Sequence, residues 1–194
     1  VLPGTDPYMN HIAWSPCATK FITIFHFEES KSSSRKIFPV IIDLKDFKCI
    51  LMHSSGYFSH HVWLDEDRML AYIELNGKKC FSIWSEKRGW VEVSGSMPLT
   101  DGHPTPILNS DKIIVDSYPN RFGRMSLYIG SSKSDTSLFK VGEVMSPPSY
   151  KGPLRCDLHP RVSKNNSLII CDFPDIEGRR LLVIEGNLDK NSIV

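Results

Sequence analysis

The sequence lacks the features that mark several common classes of protein. No stretch approaches the roughly 20 consecutive apolar residues that a membrane-spanning helix needs. The formal net charge is only +1, which gives no electrostatic reason to expect nucleic acid or a membrane surface as a partner. There is no phosphate-cradling loop, GxSxG elbow, HExxH helix or dinucleotide fingerprint. Helical periodicity is almost absent, which favours an all-β chain.

Cysteine usage also excludes some architectures. The five cysteines are an odd number, are widely scattered and include no CxxC pair. This pattern argues against a disulfide framework or a zinc ribbon and predicts reduced, mostly buried thiols. A cytoplasmic location is therefore expected, with the periplasm as the alternative. The chain of 194 residues, with 41% apolar and 23% charged residues, is long enough for one soluble globular domain with a sizeable core.

An internal repeat is the main signal. Four segments align, each with a histidine, a short apolar stretch, a polar turn and a strand rich in β-branched or aromatic residues. They are NHIAWSPCATKFITIFH from Asn10, SHHVWLDEDRMLAYIE from Ser59, GHPTPILNSDKIIVDSYP from Gly102 and LHPRVSKNNSLIICDFP from Leu158. The aligned histidines are 43 to 56 residues apart, close to the period of about 40 to 50 residues of propeller blades.

Each repeat continues with further strand-like runs, so a unit of four strands recurs. We therefore predict an all-β chain with about four β-propeller blades, approximately at residues 9–56, 57–98, 99–146 and 147–190. A β-sandwich would not repeat one unit with a histidine in the same place. The last repeat is predicted to lack its fourth strand, which indicates either a part of a larger ring or a truncated copy. Residues 1–8 form a poor closing strand because Pro3, Gly4 and Pro7 interrupt them.

Two segments are similar to a known family. DGHPTPILNSDKIIVDSYP and SPPSYKGPLRCDLHPRVSKNNSLIICD, followed by GRRLLVIEGNL, resemble the oligogalacturonate lyase-like propellers of the broader TolB-like group. MNHIAWSP and SHHVW fit the same pattern in the two earlier repeats. The resemblance covers nearly the whole chain and implies a seven-bladed ring, of which about three blades would lie outside this sequence.

The repeated histidines are the candidate site. His11, His60, His103 and His159 start the first strand of each blade, which lines the channel of a propeller, so the four imidazoles are expected to converge. Imidazole is a common ligand of divalent metals and a proton shuttle near neutral pH. The competing interpretation is a structural histidine inherited by duplication. His61 follows His60, faces the other side of the strand and is predicted to be structural.

The resemblance implies roles for these residues. His103 and His159 match metal-ligand positions, His11 is a further candidate ligand, and His60 matches the general base of a metal-assisted lyase, with manganese as the expected ion. Where the family has a second histidine, two residues before the HP pair, this chain has Asp157, and the family's ligand glutamine has no counterpart because Leu154 falls near that position. The resemblance therefore predicts a site rebuilt with an Asp–His pair, altered in metal preference, or lost.

Arginines and aromatic residues complete the predicted site. Arg155 is the candidate catalytic arginine, and a guanidinium such as that of Arg161 can grip a sugar carboxylate bidentately. The remaining candidates for sugar binding are Arg121, Tyr118 and Tyr150. Trp14 and Trp63 could also stack on sugars, although aromatic residues in blades are more often core.

Three functions are compatible with this sequence. The first is a lyase that cleaves an acidic oligosaccharide by β-elimination at a histidine-lined divalent-metal site. The second is a binding module that holds a sugar or a protein without turnover. The third is a degenerate, truncated relative that does neither. The oligomeric state does not follow from the sequence.

Overall fold

Strands account for almost all regular structure in the chain. The structure is a computed structural model, and it describes residues 5–28, 36–53, 56–93, 95–133, 137–188 and 192–193. Sixteen β-strands and a single turn of 3-10 helix, Gly152–Leu154, lie in these ranges. Within them, no helix is long and apolar enough to cross a membrane. The predicted all-β class is confirmed.

The strands form four antiparallel sheets of four strands, and each sheet follows chain order. Blade 1 holds β1 (Thr5–Trp14), β2 (Lys20–Glu28), β3 (Lys36–Asp43) and β4 (Lys48–Leu51). Blade 2 holds β5 (Phe58–Trp63), β6 (Arg68–Leu75), β7 (Lys78–Ser85) and β8 (Gly89–Glu92). Blade 3 holds β9 (Pro104–Pro106), β10 (Lys112–Asp116), β11 (Arg124–Ser131) and β12 (Phe139–Met145). Blade 4 holds β13 (Arg161–Val162), β14 (Leu168–Asp175), β15 (Gly178–Asn187) and β16 (Ser192–Ile193). A four-stranded meander is the unit of a β-propeller, and this is the fold of the chain.

The first hairpin of each blade turns where the polar segments predicted it. The turns between first and second strands fall in SPCATK, LDEDR, LNSDK and SKNNS. Ala18, Asn109 and Asn166 lie in the left-handed region, with φ of 56°, 55° and 55°. Asparagine tolerates this conformation better than most residues, which explains why the loops of blades 3 and 4 reverse the chain without glycine.

Blade 4 differs from its prediction. It was expected to end after three strands, but Ser192–Ile193 pairs with Gly186 and Asn187 at the end of β15 and forms a short fourth strand. Two residues carry no recognisable alternation, so this strand leaves no sequence signal. At the other end, residues 1–4 lie outside the described residues, and Thr5–Trp14 is the first strand of blade 1.

The chain divides into two compact units, Val1–Glu92 and Val93–Val194, each with two blades. In unit 1 the core lies between blades 1 and 2 and includes Ile22, Ile41 and Met69. In unit 2 the core lies between blades 3 and 4 and includes Ile114, Met125 and Ile169. The first strands of neighbouring blades contact each other in each unit, β1 with β5 and β9 with β13. This contact brings residues at the starts of the two blades together.

Candidate functional site

The four aligned histidines sit at irregular points of the backbone. His11 lies within β1 and His60 within β5, in both cases where the register between strands shifts. His103 directly precedes β9, and His159 lies two residues before β13. His11 and His159 have positive φ, 52° and 42°. Such values are uncommon for a residue with a side chain, and strained backbone of this kind clusters at functional sites.

Within each unit the two aligned histidines are neighbours. The ring centroids of His11 and His60 are 6.5 Å apart in an edge-to-face arrangement. Those of His103 and His159 are 4.1 Å apart. The predicted convergence is therefore confirmed inside each pair of blades, and convergence of all four rings stays a prediction.

A candidate metal centre lies in unit 2. His103, Asp157 and His159 each offer one ligand atom, and these atoms all lie within 4.8 Å of one another. Three of the four residues predicted as metal ligands thus come together, and the fourth, His11, belongs to unit 1. Two imidazoles and a carboxylate form a donor set that suits borderline divalent ions.

Two aspartates that the sequence analysis missed hold the rings of this centre. The Nδ1 atom of His103 lies 3.0 Å from both carboxylate oxygens of Asp116. The Nδ1 atom of His159 lies 3.2 Å from Oδ2 of Asp172. A carboxylate on one ring nitrogen fixes the tautomer in which the other nitrogen is the ligand atom, an arrangement common around metals. Each aspartate follows its histidine by thirteen residues, and this recurring interval is the signal that could have identified them.

Asp116 is the most deeply buried of these carboxylates, with a side chain 1% exposed. It accepts the main-chain N–H of His103 at 2.5 Å and that of His159 at 3.0 Å. Burial alone would raise the pKa of the Asp116 carboxyl, but the hydrogen bonds and charge of His103, with the N–H of His159, hold it below its ordinary value. Asp116 is therefore ionised at neutral pH.

The position before His103 explains a part of the DGH motif. A Cβ on Gly102 would overlap the main-chain carbonyl oxygen of Asp116, so only glycine allows this close approach. Asp101, two residues before His103, uses Oδ1 to accept the N–H of Gly102 at 2.9 Å.

The two carboxylate oxygens of Asp157 differ in their hydrogen bonding. Its side chain is 8% exposed, and its Oδ2 accepts a hydrogen bond from Nε of Arg155 at 3.0 Å. Its Oδ1 is buried and lies 2.8 Å from the same nitrogen, but no donor among the described residues is aligned to hydrogen-bond it. A buried carboxylate oxygen without a donor is costly unless a cation or water satisfies it. Together with the imidazoles of His103 and His159, this carboxylate forms a donor set that fits a divalent ion.

Arg155 connects the candidate centre to an aromatic side chain. Its guanidinium carbon lies 4.4 Å from the centroid of the Tyr118 ring, and that ring is edge-to-face with His103 at 5.8 Å. The side chain of Arg155 is 46% exposed. This places a positive charge beside the candidate centre, where an anionic ligand would meet it.

The other predicted ligand-binding residues are less closely tied to the centre. Nη1 of Arg161 donates to the carbonyl oxygen of Pro160 at 2.9 Å. The guanidinium carbon of Arg121 lies 4.6 Å from the ring centroid of Phe122. Tyr150 is half-buried in the loop before the 3-10 turn. Their roles in sugar binding stay predictions.

The histidines of unit 1 have a different environment. Nδ1 of His60 lies 3.1 Å from Oγ of Ser59, and its role as general base stays a prediction. His61 packs against Phe58, with ring centroids 5.7 Å apart. Burial lowers the pKa of His61 to about 4, against hydrogen bonds that raise it. The His61 ring is therefore neutral at pH 7, and its structural role stays a prediction.

The fold is shared with solved β-propellers. TolB from Acinetobacter baumannii is 14% identical to this chain, with a TM-score of 0.57, and the match covers 96% of this chain and 42% of TolB. An oligogalacturonate lyase in complex with manganese is 12% identical, with a TM-score of 0.61, and the match covers 97% of this chain and 52% of the lyase. The tricorn protease is 11% identical, with a TM-score of 0.54, over 90% of this chain and 22% of the protease.

These comparisons confirm the predicted resemblance at the level of the fold. Identities this low carry no information on activity. The chain spans about half the length of the lyase and less of the other two. No protein-family model and no curated protein matches the chain.

Proposed function

We propose that blades 3 and 4 hold a divalent cation, with manganese as the expected ion, at His103, Asp157 and His159, and that this centre binds the carboxylate of an acidic oligosaccharide. The observation that carries the proposal is the three-residue cluster with its ligand atoms within 4.8 Å. The buried Oδ1 of Asp157, to which no donor among the described residues is aligned for a hydrogen bond, supports it. The carboxylates on the two imidazoles support it further, because such partners orient metal-ligating histidines.

The reaction that suits this arrangement is β-elimination. The C–H bond next to the sugar carboxylate gives its proton to a base, a carbon–carbon double bond forms, and the C–O bond at the β carbon breaks with its electron pair. The proton is weakly acidic unless negative charge on the carboxylate is stabilised, and a bound cation would supply that stabilisation.

The side chains around the centre suit an anionic ligand. Arg155 is fixed by Asp157 on one side and by the Tyr118 ring on another, so little side-chain entropy is lost when it meets a carboxylate. A guanidinium can pair with a carboxylate through two parallel hydrogen bonds. The role of His60 as a base is a prediction from the resemblance alone.

A second function is binding without turnover. The ion pair between Arg155 and Asp157 already neutralises the one carboxylate among the three clustered residues. A site with this pair intact has two imidazoles and an arginine for an anionic sugar and does not require a metal. The binding module is therefore the second candidate.

Metal content of the full-length gene product tests the first proposal. We expect near-stoichiometric manganese or another divalent ion in the wild-type protein and loss of that ion in the double variant His103→Ala, His159→Ala. The matched control is His26→Ala, His53→Ala, which changes two histidines of unit 1 that lie outside the cluster and should keep the metal.

Activity is tested next with acidic oligosaccharides, by the ultraviolet absorbance of the unsaturated product. If neither wild-type nor control protein takes up metal in excess ion, the metal-assisted lyase is refuted. Retention of acidic-sugar binding in that case would support the binding module.

A further inference from the structure

Asp116 connects the two blades that carry the candidate centre. It ends β10 in blade 3, and its carboxylate lies within hydrogen-bond distance of three nitrogen atoms. The main chain and ring of His103 contribute two of them, and the main chain of His159 in blade 4 contributes the third. One side chain thus fixes the backbone of both candidate ligands.

The burial of this charge needs a reason. A carboxylate taken out of water loses favourable solvation unless hydrogen bonds or counter-charges replace it. Within the part of the chain that the structure describes, no lysine or arginine forms an ion pair with Asp116, and its partner in the ion-pair geometry is His103. At the corresponding position of blade 1, thirteen residues after His11, unit 1 has Ile24 in its core. An apolar residue therefore satisfies the fold at this position.

Asp172 is a useful contrast. It occupies the same position in blade 4, but its side chain is 48% exposed. It contacts the ring of His159, and its own N–H donates to the carbonyl oxygen of Leu158 at 2.7 Å. Asp172 can therefore orient one ring, whereas Asp116 acts on both histidines.

We propose that Asp116 is a positioning residue that sets the spacing of His103 and His159 and holds His103 in the tautomer with the proton on Nδ1. In this tautomer Nε2 of His103 is the nitrogen that binds a cation. This inference rests on the proposed function for its metal readout, but its tautomer readout is independent of any metal.

The first experiment uses the wild-type chain without metal. Long-range proton–nitrogen NMR spectra of histidine-labelled protein at about pH 8.5, where imidazole is ordinarily neutral, distinguish the two ring tautomers. The His103 signals are assigned from a His103→Gln spectrum. We expect protonated Nδ1 and unprotonated Nε2. A His103 ring with its proton on Nε2 would overturn the proposal.

The second experiment measures manganese binding by calorimetry after chelator treatment. Asp116→Asn keeps the shape of the side chain but presents an NH₂ group to one of the three donors. We expect an affinity 10- to 100-fold lower than wild type, the usual effect of losing a residue that orients a ligand, and a changed His103 tautomer. Asp172→Asn should lower the affinity less and leave the His103 tautomer unchanged.

A control separates positioning from general stability. Ile114→Val removes a buried methylene from the same strand, β10, and lowers stability without touching either histidine. It should bind manganese as wild type does. An Asp116→Asn protein that binds manganese within twofold of wild type, with its His103 tautomer unchanged, refutes the positioning role. If wild type binds no manganese, the proposed function fails, and the wild-type tautomer still decides the role of Asp116.

Discussion

Gly102 and Asp116 approach so closely that a Cβ on Gly102 would overlap the carbonyl oxygen of Asp116 and lie 2.9 Å from its carbonyl carbon. The obstacle is backbone, which cannot swing aside as a side chain can. This contact brings the main chain before His103 against the end of β10, where the N–H of His103 reaches the Asp116 carboxylate.

Gly102→Ala should therefore destabilise the protein strongly. We expect the free energy of unfolding to fall by about 3 kcal/mol, since a rigid overlap forces the backbone to move. The matched control is Gly142→Ala in β12, where nothing lies within 4 Å of the added Cβ. Alanine there should be neutral or gain about 0.5 kcal/mol. Urea denaturation measures both, and equal midpoints for Gly102→Ala and wild type would contradict the close approach.

Trp63 should stabilise unit 1 by joining its two blades. Its side chain is 6% exposed, and Nε1 donates to the carbonyl oxygen of Ala13 at 3.1 Å. Trp63→Phe removes this hydrogen bond and part of the buried ring, so we expect a loss of about 2 kcal/mol in the free energy of unfolding. Trp14→Phe, at a side chain 53% exposed, should change it by less than about 0.5 kcal/mol. Thermal melts that rank the two variants in the reverse order would refute this assignment.

The structure separates the two tryptophans, for which the sequence analysis made a single prediction of core packing. Trp63 lies in the core cluster of unit 1, as the bias toward core packing predicted. Trp14 is exposed and packs on Phe21, with ring centroids 5.1 Å apart. Sequence alone could not separate them, because both follow their aligned histidine by three residues and differ only in the packing around them.

His61 should make stability depend on pH. Burial lowers its folded pKa to about 4, below the ordinary value of about 6.5 in the unfolded chain. Between these pH values the unfolded state binds more protons than the folded state. The contribution of the neutral His61 ring to the free energy of unfolding is therefore fully present above about pH 6.5 and is lost as the pH falls toward 4. The loss attributable to this residue is at most about 3 kcal/mol.

Urea denaturation at pH 7.5 and pH 5 measures this effect. His61→Gln should flatten the dependence on pH. Phe58→Leu, which weakens packing around His61 but keeps the titrating ring, should lower the stability at both pH values and retain the slope. An unchanged slope in His61→Gln would show that the ring is not the responsible group.

Thiol labelling should divide the cysteines into two groups. All five are free; Cys17 and Cys49 are exposed, whereas Cys80, Cys156 and Cys171 are buried. Burial also raises the pKa of Cys171 to about 12, so almost none of it is the reactive thiolate at pH 8. We expect rapid labelling of Cys17 and Cys49 by iodoacetamide, and labelling of the other three only after denaturation. Peptide mass spectrometry checks this, and fast labelling of Cys171 in the native protein would contradict its burial.

Much of the fold followed from the sequence because its signals are local. Alternating β-branched residues between polar turns identified most of the strands, and the repeated histidine marked the first strand of each blade. Ser192–Ile193 was missed because two residues are too few for a pattern. The register shifts at His11 and His60 were also missed, since a bulge depends on the pairing of two strands that sequence does not specify.

The candidate site was predicted only in part, because some of its residues have local sequence signals and others do not. His103, His159 and Asp157 stand out by repeat and by resemblance. Asp116 and Asp172 were overlooked because an aspartate before Ser-Tyr-Pro or Phe-Pro has the composition of a turn. The pairing of Arg155 with Asp157 depends on side-chain directions, which the interval of two residues along the chain does not determine.

The carboxylate of Asp116 also limits how the blades can be exchanged in protein engineering or by recombination. Blade 3 carries the buried charge, but one of its hydrogen-bond donors is supplied by blade 4. A chimera that places blade 3 beside a foreign blade would leave that oxygen without its donor. Blades 3 and 4 should therefore be transferred together when the candidate site is grafted onto another propeller.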